Sequence, residues 1–198
     1  MKIGIIGAEN SHTVAIAKVL NIEKKVKGCS VACVWGETEE LATRAAADGS
    51  IPAIVKRPVD MLGEVDAVVV DHRHPKHHLK AVWRFMEHGT PMFVDKPFCH
   101  RSEEGRRFLD QAREHGAPVT SFSAVPHYDS FLKFMAKLPG LGALVSGHTW
   151  GPCDLKSPYG GVFFYGIHQV EVALAAFGYD VAGVRMTKNG PHASCQLL

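Results

Sequence analysis

"IGIIGAENSH", residues 3–12, is an apolar run that ends in a glycine and then turns polar. Ile3, Ile5 and Ile6 favour an extended strand, and a nearly continuous apolar run marks a strand covered on both faces. Gly7 tolerates a tight turn, and Asn10 or Ser11 can cap the helix expected over 11–22. A buried strand passing through a glycine turn into a helix is how a parallel α/β sheet begins. In the dinucleotide-binding version the turn reads Gly-x-Gly-x-x-Gly. Its first glycine makes the turn, the second admits a diphosphate to the backbone amides, and the third lets helix and strand pack closely. Here Gly7 keeps the first position, while Glu9 and His12 hold the second and third.

The same alternation continues along the chain. "SVACVW" (30–35), "VDAVVV" (65–70), "PMFVD" (91–95) and "APVTSF" (117–122) read as buried strands, with helices predicted over 38–48, 77–88 and 102–115. Strand and helix in regular succession predict a right-handed, doubly wound parallel sheet of Rossmann type over residues 1–123. Beyond it the pattern becomes α+β. A helix is expected over 128–138, a strand in "GALVSGHTW" (142–150), a helix in "HQVEVALAAFG" (168–178) and a strand in "VAGVRMT" (181–187). The closing "NGPHASCQLL" reads as a polar tail that gives this last strand no neighbour. Residues 124–198 are therefore expected to form a partial sheet domain, and an unfinished sheet predicts a homo-oligomer.

With 198 residues, 46% of them hydrophobic, the chain can bury a sizeable core. Lysine and arginine number 22 against 20 acids, a net charge of +2, which points away from nucleic acid and membrane surfaces and toward a small-molecule partner. The first strand starts at Lys2 and no apolar run approaches the ~20 residues of a membrane span, so a cytoplasmic location is expected. Five cysteines without a Cys-x-x-Cys pair are expected to be reduced thiols.

The opening turn carries a chemical conflict. A carboxylate about 5 Å from a phosphate costs roughly 3 kcal/mol at an effective dielectric near 20, about two orders of magnitude in affinity. Glu9 therefore disfavours a diphosphate unless it turns away or is paired. The acid expected at the end of the second strand, to hold a ribose hydroxyl, is displaced by Gly36 to Glu37.

Further along, "HHLKAVWRFMEHGTPMFVDKPF" (77–98) resembles the Gfo/Idh/MocA family (glucose-fructose oxidoreductase/inositol dehydrogenase). Asp95-Lys96-Pro97 falls at that family's Glu-Lys-Pro signature, His78 at its helix-opening histidine and Gly89 at its helix-ending glycine. "GGVFFYGIHQVEV" (160–172) is similar to its Gly-rich loop and Gly-x-His-x-x-Asp helix, with Gly166, His168 and Glu171 in register. The resemblance implies an N-terminal Rossmann domain that binds NAD or NADP and hydride transfer at a sugar or polyol carbon. It implies Lys96 and His168 as catalytic residues, since a histidine can take the hydroxyl proton and an ammonium can stabilise the developing oxyanion. It puts the cofactor along Gly7, Ala8, Asn10, Ser11, His12, Glu37, His72, His74 and Lys96.

Four places depart from the family pattern: Glu9, Gly36, Phe164 where an acid precedes the catalytic histidine by four residues, and "DHRHPKHH" (71–78) in place of a Thr-Pro-Asn-like loop. They motivate an alternative, a catalytically inactive relative that binds a small ligand or protein partner in the same cleft. A third reading, a metal hydrolase, comes from His72, His74 and His77, which match the spacing of a His-x-His-x-Asp-His motif. Lys76 occupies that motif's aspartate position, so the loop is read as the polar rim of the cofactor cleft and no metal site is assigned.

Overall fold

A computed structural model describes residues 1–198, which divide into two units, Met1–Phe122 and Ser123–Leu198. In the first unit, strands β1 (Lys2–Ile6), β2 (Ser30–Trp35), β3 (Ala53–Ile54), β4 (Ala67–Val70), β5 (Met92–Val94) and β6 (Val119–Thr120) form one parallel sheet. Their order, β3-β2-β1-β4-β5-β6, is that of a doubly wound dinucleotide fold.

Alternation along these strands sorts the apolar residues to two faces. Ile6, Val68 and Val70 pack with Leu79, Val82, Phe85 and Met86 of α3 (His78–Glu87) and Phe108 of α4 (Ser102–Glu114). Ile3, Ile5, Val34 and Val69 pack on the opposite face with Ala17 of α1 (Ser11–Ala17) and Ala45 of α2 (Glu39–Gly49). Both faces are covered, which is why the strands read as continuous apolar runs. The expected helix over 11–22 is present as α1 followed by a π-type turn, Lys18–Ile22.

The second unit holds α5 (Asp129–Met135), α6 (Phe163–Phe177) and an antiparallel hairpin of β7 (Val184–Asn189) and β8 (His192–Leu197). Two expectations fail here. Residues 142–150 form no strand. Instead they run beside α6, with Gly147 against the Phe177 ring, Gly151 against Gln169 and the Thr149 hydroxyl donating to the Gln169 carbonyl at 3.2 Å. Small residues let that backbone lie on a helix, and no strand is there to pair with it. The polar tail is also corrected: it is β8, joined to β7 by the two-residue turn Gly190-Pro191, with Gly190 at φ 58°. Asn-Gly between two strand-length segments is a hairpin signal, outweighed in the reading above by the polarity of the segment. The last strand thus has a neighbour, which removes one reason for expecting self-association. No helix is long and apolar enough to cross a membrane. All five cysteines are free thiols.

Candidate functional site

Four strand ends meet in register at the carboxyl edge of the sheet. The Gly7 amide donates to the Trp35 carbonyl at 2.9 Å, the Asp71 amide to Ile6 at 2.8 Å and the Asp95 amide to Val70 at 2.9 Å. Strand order reverses between β1 and β4, the place where open α/β sheets bind ligands. Gly7 has φ 120°, and a Cβ there would come within 2.7 Å of the Asp71 carbonyl carbon. The turn therefore requires glycine at this position.

Glu37, beyond the end of β2, reaches back to that turn. Its Oε2 accepts hydrogen bonds from the amides of Ala8 at 2.8 Å and Glu9 at 3.0 Å, while Oε1 is buried and without a hydrogen-bond partner. Glu37 is thus bonded into the turn rather than solvated at the start of α2. Asn10 caps α1, its side-chain oxygen accepting from the His12 amide at 3.4 Å, and Ser11 is the exposed first residue of that helix.

Beneath the turn lie two carboxylates, Asp71 with no exposure and Asp95 at 5%. The Asn10 amide group donates to Asp71 Oδ1 at 2.7 Å and to Asp95 Oδ2 at 3.1 Å. Thr13 Oγ1 donates to Asp71 Oδ2 at 2.6 Å, and His12 Nδ1 lies 3.1 Å from Asp95 Oδ2. Burial and the neighbouring Asp95 push Asp71 well above the usual carboxylate range. Burial acts on Asp95 the same way, yet the hydrogen bond and charge of His12, with Lys96, carry it below that range. His12 is raised chiefly by its bond to Asp95. Lys96, 7% exposed, is lowered by burial, against the pull of Asp95 and Asp71. The two acids at this edge are thus shifted apart, Asp71 up and Asp95 down, with Lys96 and His12 facing them. Sequence reasoning named His12, Asn10 and Lys96 but gave Asp71 no role. The one available sign was a carboxylate ending a strand of three valines.

The histidine loop gathers beside Trp35. The His72 ring centre is 5.7 Å from Trp35 and 5.6 Å from His77, and His74 is 6.0 Å from His77 and 5.2 Å from His100. Burial, with His78 and His77 nearby, lowers His72 to about 4, and burial together with Lys76 also lowers His74 and His77. His74 Nδ1 accepts the Lys76 amide at 3.2 Å, so the loop folds on itself. Ligand atoms of metal-binding type converge elsewhere, at His12, Asp71 and Asp95.

His168 belongs to the second unit, on α6. Its Nδ1 lies 2.6 Å from Ser123 Oγ, and Glu171 Oε2 accepts the Ser123 amide at 2.6 Å. Burial raises the Glu171 carboxyl. Phe164, at the position of the family's acid, is buried against the rings of Tyr159 and Tyr165, where it fills space.

A dinucleotide fits this edge at its adenosine end. The glycine turn is intact at Gly7, and Glu37, just beyond the end of β2 and bonded to that turn, is the acid whose chemistry suits a ribose hydroxyl. On the diphosphate side the turn differs from the glycine-rich pattern, since Glu9 and His12 stand in place of glycines and the Ala8 and Glu9 amides are already bonded to Glu37.

The model of the Gfo/Idh/MocA oxidoreductase family, described by its NAD-binding Rossmann fold, matches residues 1–123. Among solved structures, GenD2 from gentamicin A biosynthesis, in complex with NAD, is 19% identical with a TM-score of 0.75, covering 94% of this chain and 55% of its own. A Gfo/Idh/MocA family oxidoreductase from Vibrio cholerae is 19% identical with a TM-score of 0.68, covering 98% of this chain and 63% of its own. Myo-inositol dehydrogenase from Lactobacillus casei, in complex with NAD(H) and myo-inositol, is 20% identical with a TM-score of 0.59, covering 72% of this chain and 42% of its own. The chain thus spans about half the length of these proteins, and at such identity the likeness is one of fold.

Proposed function

Because the chain belongs to the Gfo/Idh/MocA oxidoreductase family, with its NAD-binding Rossmann fold, we propose that it is an NAD-dependent oxidoreductase acting on a small sugar- or polyol-like substrate. Glu37 carries this reading. Its Oε2 is fastened to the turn amides, which holds the carboxylate beside the glycine turn. A ribose diol would donate to such a carboxylate, whereas a 2′-phosphate would be repelled by it, so NAD is favoured over NADP. The NAD(H) and myo-inositol held by the Lactobacillus casei dehydrogenase support the cofactor and substrate class.

Gly7, Ala8, Asn10, Ser11, His12 and Glu37 would hold the dinucleotide, with His72 and His74 along the loop after β4. Bound there, the nicotinamide supplies the acceptor and donor of hydride. Lys96, kept nearly dry beside Asp95, hydrogen-bonds the substrate's reacting oxygen and stabilises its developing negative charge. His168 of the second unit would be the residue that takes or returns the hydroxyl proton, as the family resemblance implies. His12, raised chiefly by its hydrogen bond to Asp95, would stand beside the phosphates at the start of α1.

Fluorescence titration with NADH and NADPH tests the reading. NADH is expected to bind, NADPH to bind at least tenfold more weakly, and Glu37→Ala to remove that preference. Absence of NADH binding at millimolar concentration would overturn it in favour of a relative that binds another ligand. Lys96→Met is expected to lower turnover about a hundredfold or more with little change in NADH affinity.

A further inference from the structure

We propose that His12, Asp71 and Asp95, together with Asn10, form a binding site for a first-row divalent cation, with Zn²⁺ or Mn²⁺ as the fitting ions. The family reading does not use these groups together. It goes beyond dinucleotide binding and shares with that reading only Asn10 and His12, which also belong to the glycine turn, so each is tested by its own titration.

The donor atoms already stand at the spacing of a coordination shell. His12 Nδ1 is 3.1 Å from Asp95 Oδ2 and 3.9 Å from Asp71 Oδ1. The Asn10 side-chain amide lies 2.7 Å from Asp71 Oδ1 and 3.1 Å from Asp95 Oδ2. The ligand atoms of the three ionisable residues all fall within 4.8 Å of one another. Metal–ligand bonds of about 2.0–2.2 Å separate neighbouring ligands by about 3.0 to 3.5 Å, so a small movement of these side chains encloses an ion. Rotating the Asn10 amide by half a turn brings its carbonyl oxygen to the centre as a fourth ligand, at the cost of the cap it gives the His12 amide.

The supports expected around a metal are also present. The hydroxyl of fully buried Thr13 lies 2.6 Å from Asp71 Oδ2 and 2.9 Å from the Gly7 carbonyl, and donating to the carboxylate it holds Oδ2 and leaves Oδ1 turned to the centre. The two acids come from adjacent strand ends and are nearly dry, and Lys96 and His12 are the cationic groups that face them, a compensation that a bound cation would share. The His12 side chain, 43% exposed, covers the solvent side and offers a way in. One imidazole with two carboxylates and an amide oxygen suits Zn²⁺ or Mn²⁺ better than Mg²⁺ or Ca²⁺, which take oxygen ligands. The imidazole comes from the third glycine position of the turn, so the residue that departs from the fingerprint is the one that supplies the nitrogen.

The test uses the purified chain stripped with chelator, loaded with Zn²⁺ or Mn²⁺ without dinucleotide, desalted and analysed by atomic emission. One equivalent per chain is expected, together with a raised melting temperature. His12→Ala and Asp95→Asn should each weaken apparent affinity about tenfold or more. Should Asp95→Asn fail to fold, His12→Ala removes only a half-exposed ring and still decides the matter. The double variant His74→Ala/His77→Ala, which disables the rival histidine loop, should retain the metal. No bound metal, binding unaffected by His12→Ala, or loss in the loop variant would each overturn the proposal. NADH titration of the metal-free chain is read separately, so either idea can fail alone.

Discussion

The two units spend similar apolar content differently. In the first, α3 buries five of its ten residues, and Phe85 and Phe108 are entirely shielded. In the second, α6 is fifteen residues of mostly apolar sequence that buries only Phe164, and every residue of β7 is exposed. The difference is one of partners. A parallel sheet takes helices on both faces, so each apolar stripe of the first unit meets a wall. A two-stranded hairpin and a lone long helix enclose little. Apolar composition therefore makes a core only where topology supplies two surfaces to close on.

Substitutions can break or sharpen this contrast. Phe85→Ala is expected to cost about 4 kcal/mol in urea unfolding, while Phe177→Ala, at a 48%-exposed ring, should cost less than about 1 kcal/mol. Equal losses would mean the second unit has a core of its own. Acid should also act on the first unit. His72 titrates near its ordinary 6.5 when unfolded and near about 4 in the fold, so the unfolded chain binds more protons between those values. Stability is then full above pH 6.5 and lost as pH falls toward 4, by about 3 kcal/mol over that window. Fully buried His78 is lowered as well and adds to the loss with the same sign. Thermal melts from pH 7.5 to 4.5 check this, and a flat profile would contradict a dry, neutral His72. Gly7→Ala should cost about 2 kcal/mol, because alanine avoids φ 120° and its Cβ would press on Asp71. Smallest of all, Met186→Ser on the exposed hairpin should shift stability by no more than about 0.5 kcal/mol.

Much of the first unit was legible because its signals are local. The strands at 2–6 and 30–35, the helices after them and the turn at Gly7 each follow from a few neighbouring residues. In the second unit the same reasoning misread 142–150, whose short apolar run at 143–145 suits a strand but finds none to pair with. It also missed β8, whose polar residues are tolerated because the hairpin faces water.

The amino-acid order alone determined the sheet class, the glycine turn and the family signature around Lys96, since strand burial and turn chemistry are short-range properties. Only the folded chain decided where the carboxylates go. Glu37 bonds back to amides 29 and 28 residues earlier, and His12 meets Asp95 across 83 residues. Parallel pairing brings the ends of β2, β1, β4 and β5 side by side, so groups that no local pattern links come to share one dry edge. Their charges are then settled by each other rather than by water.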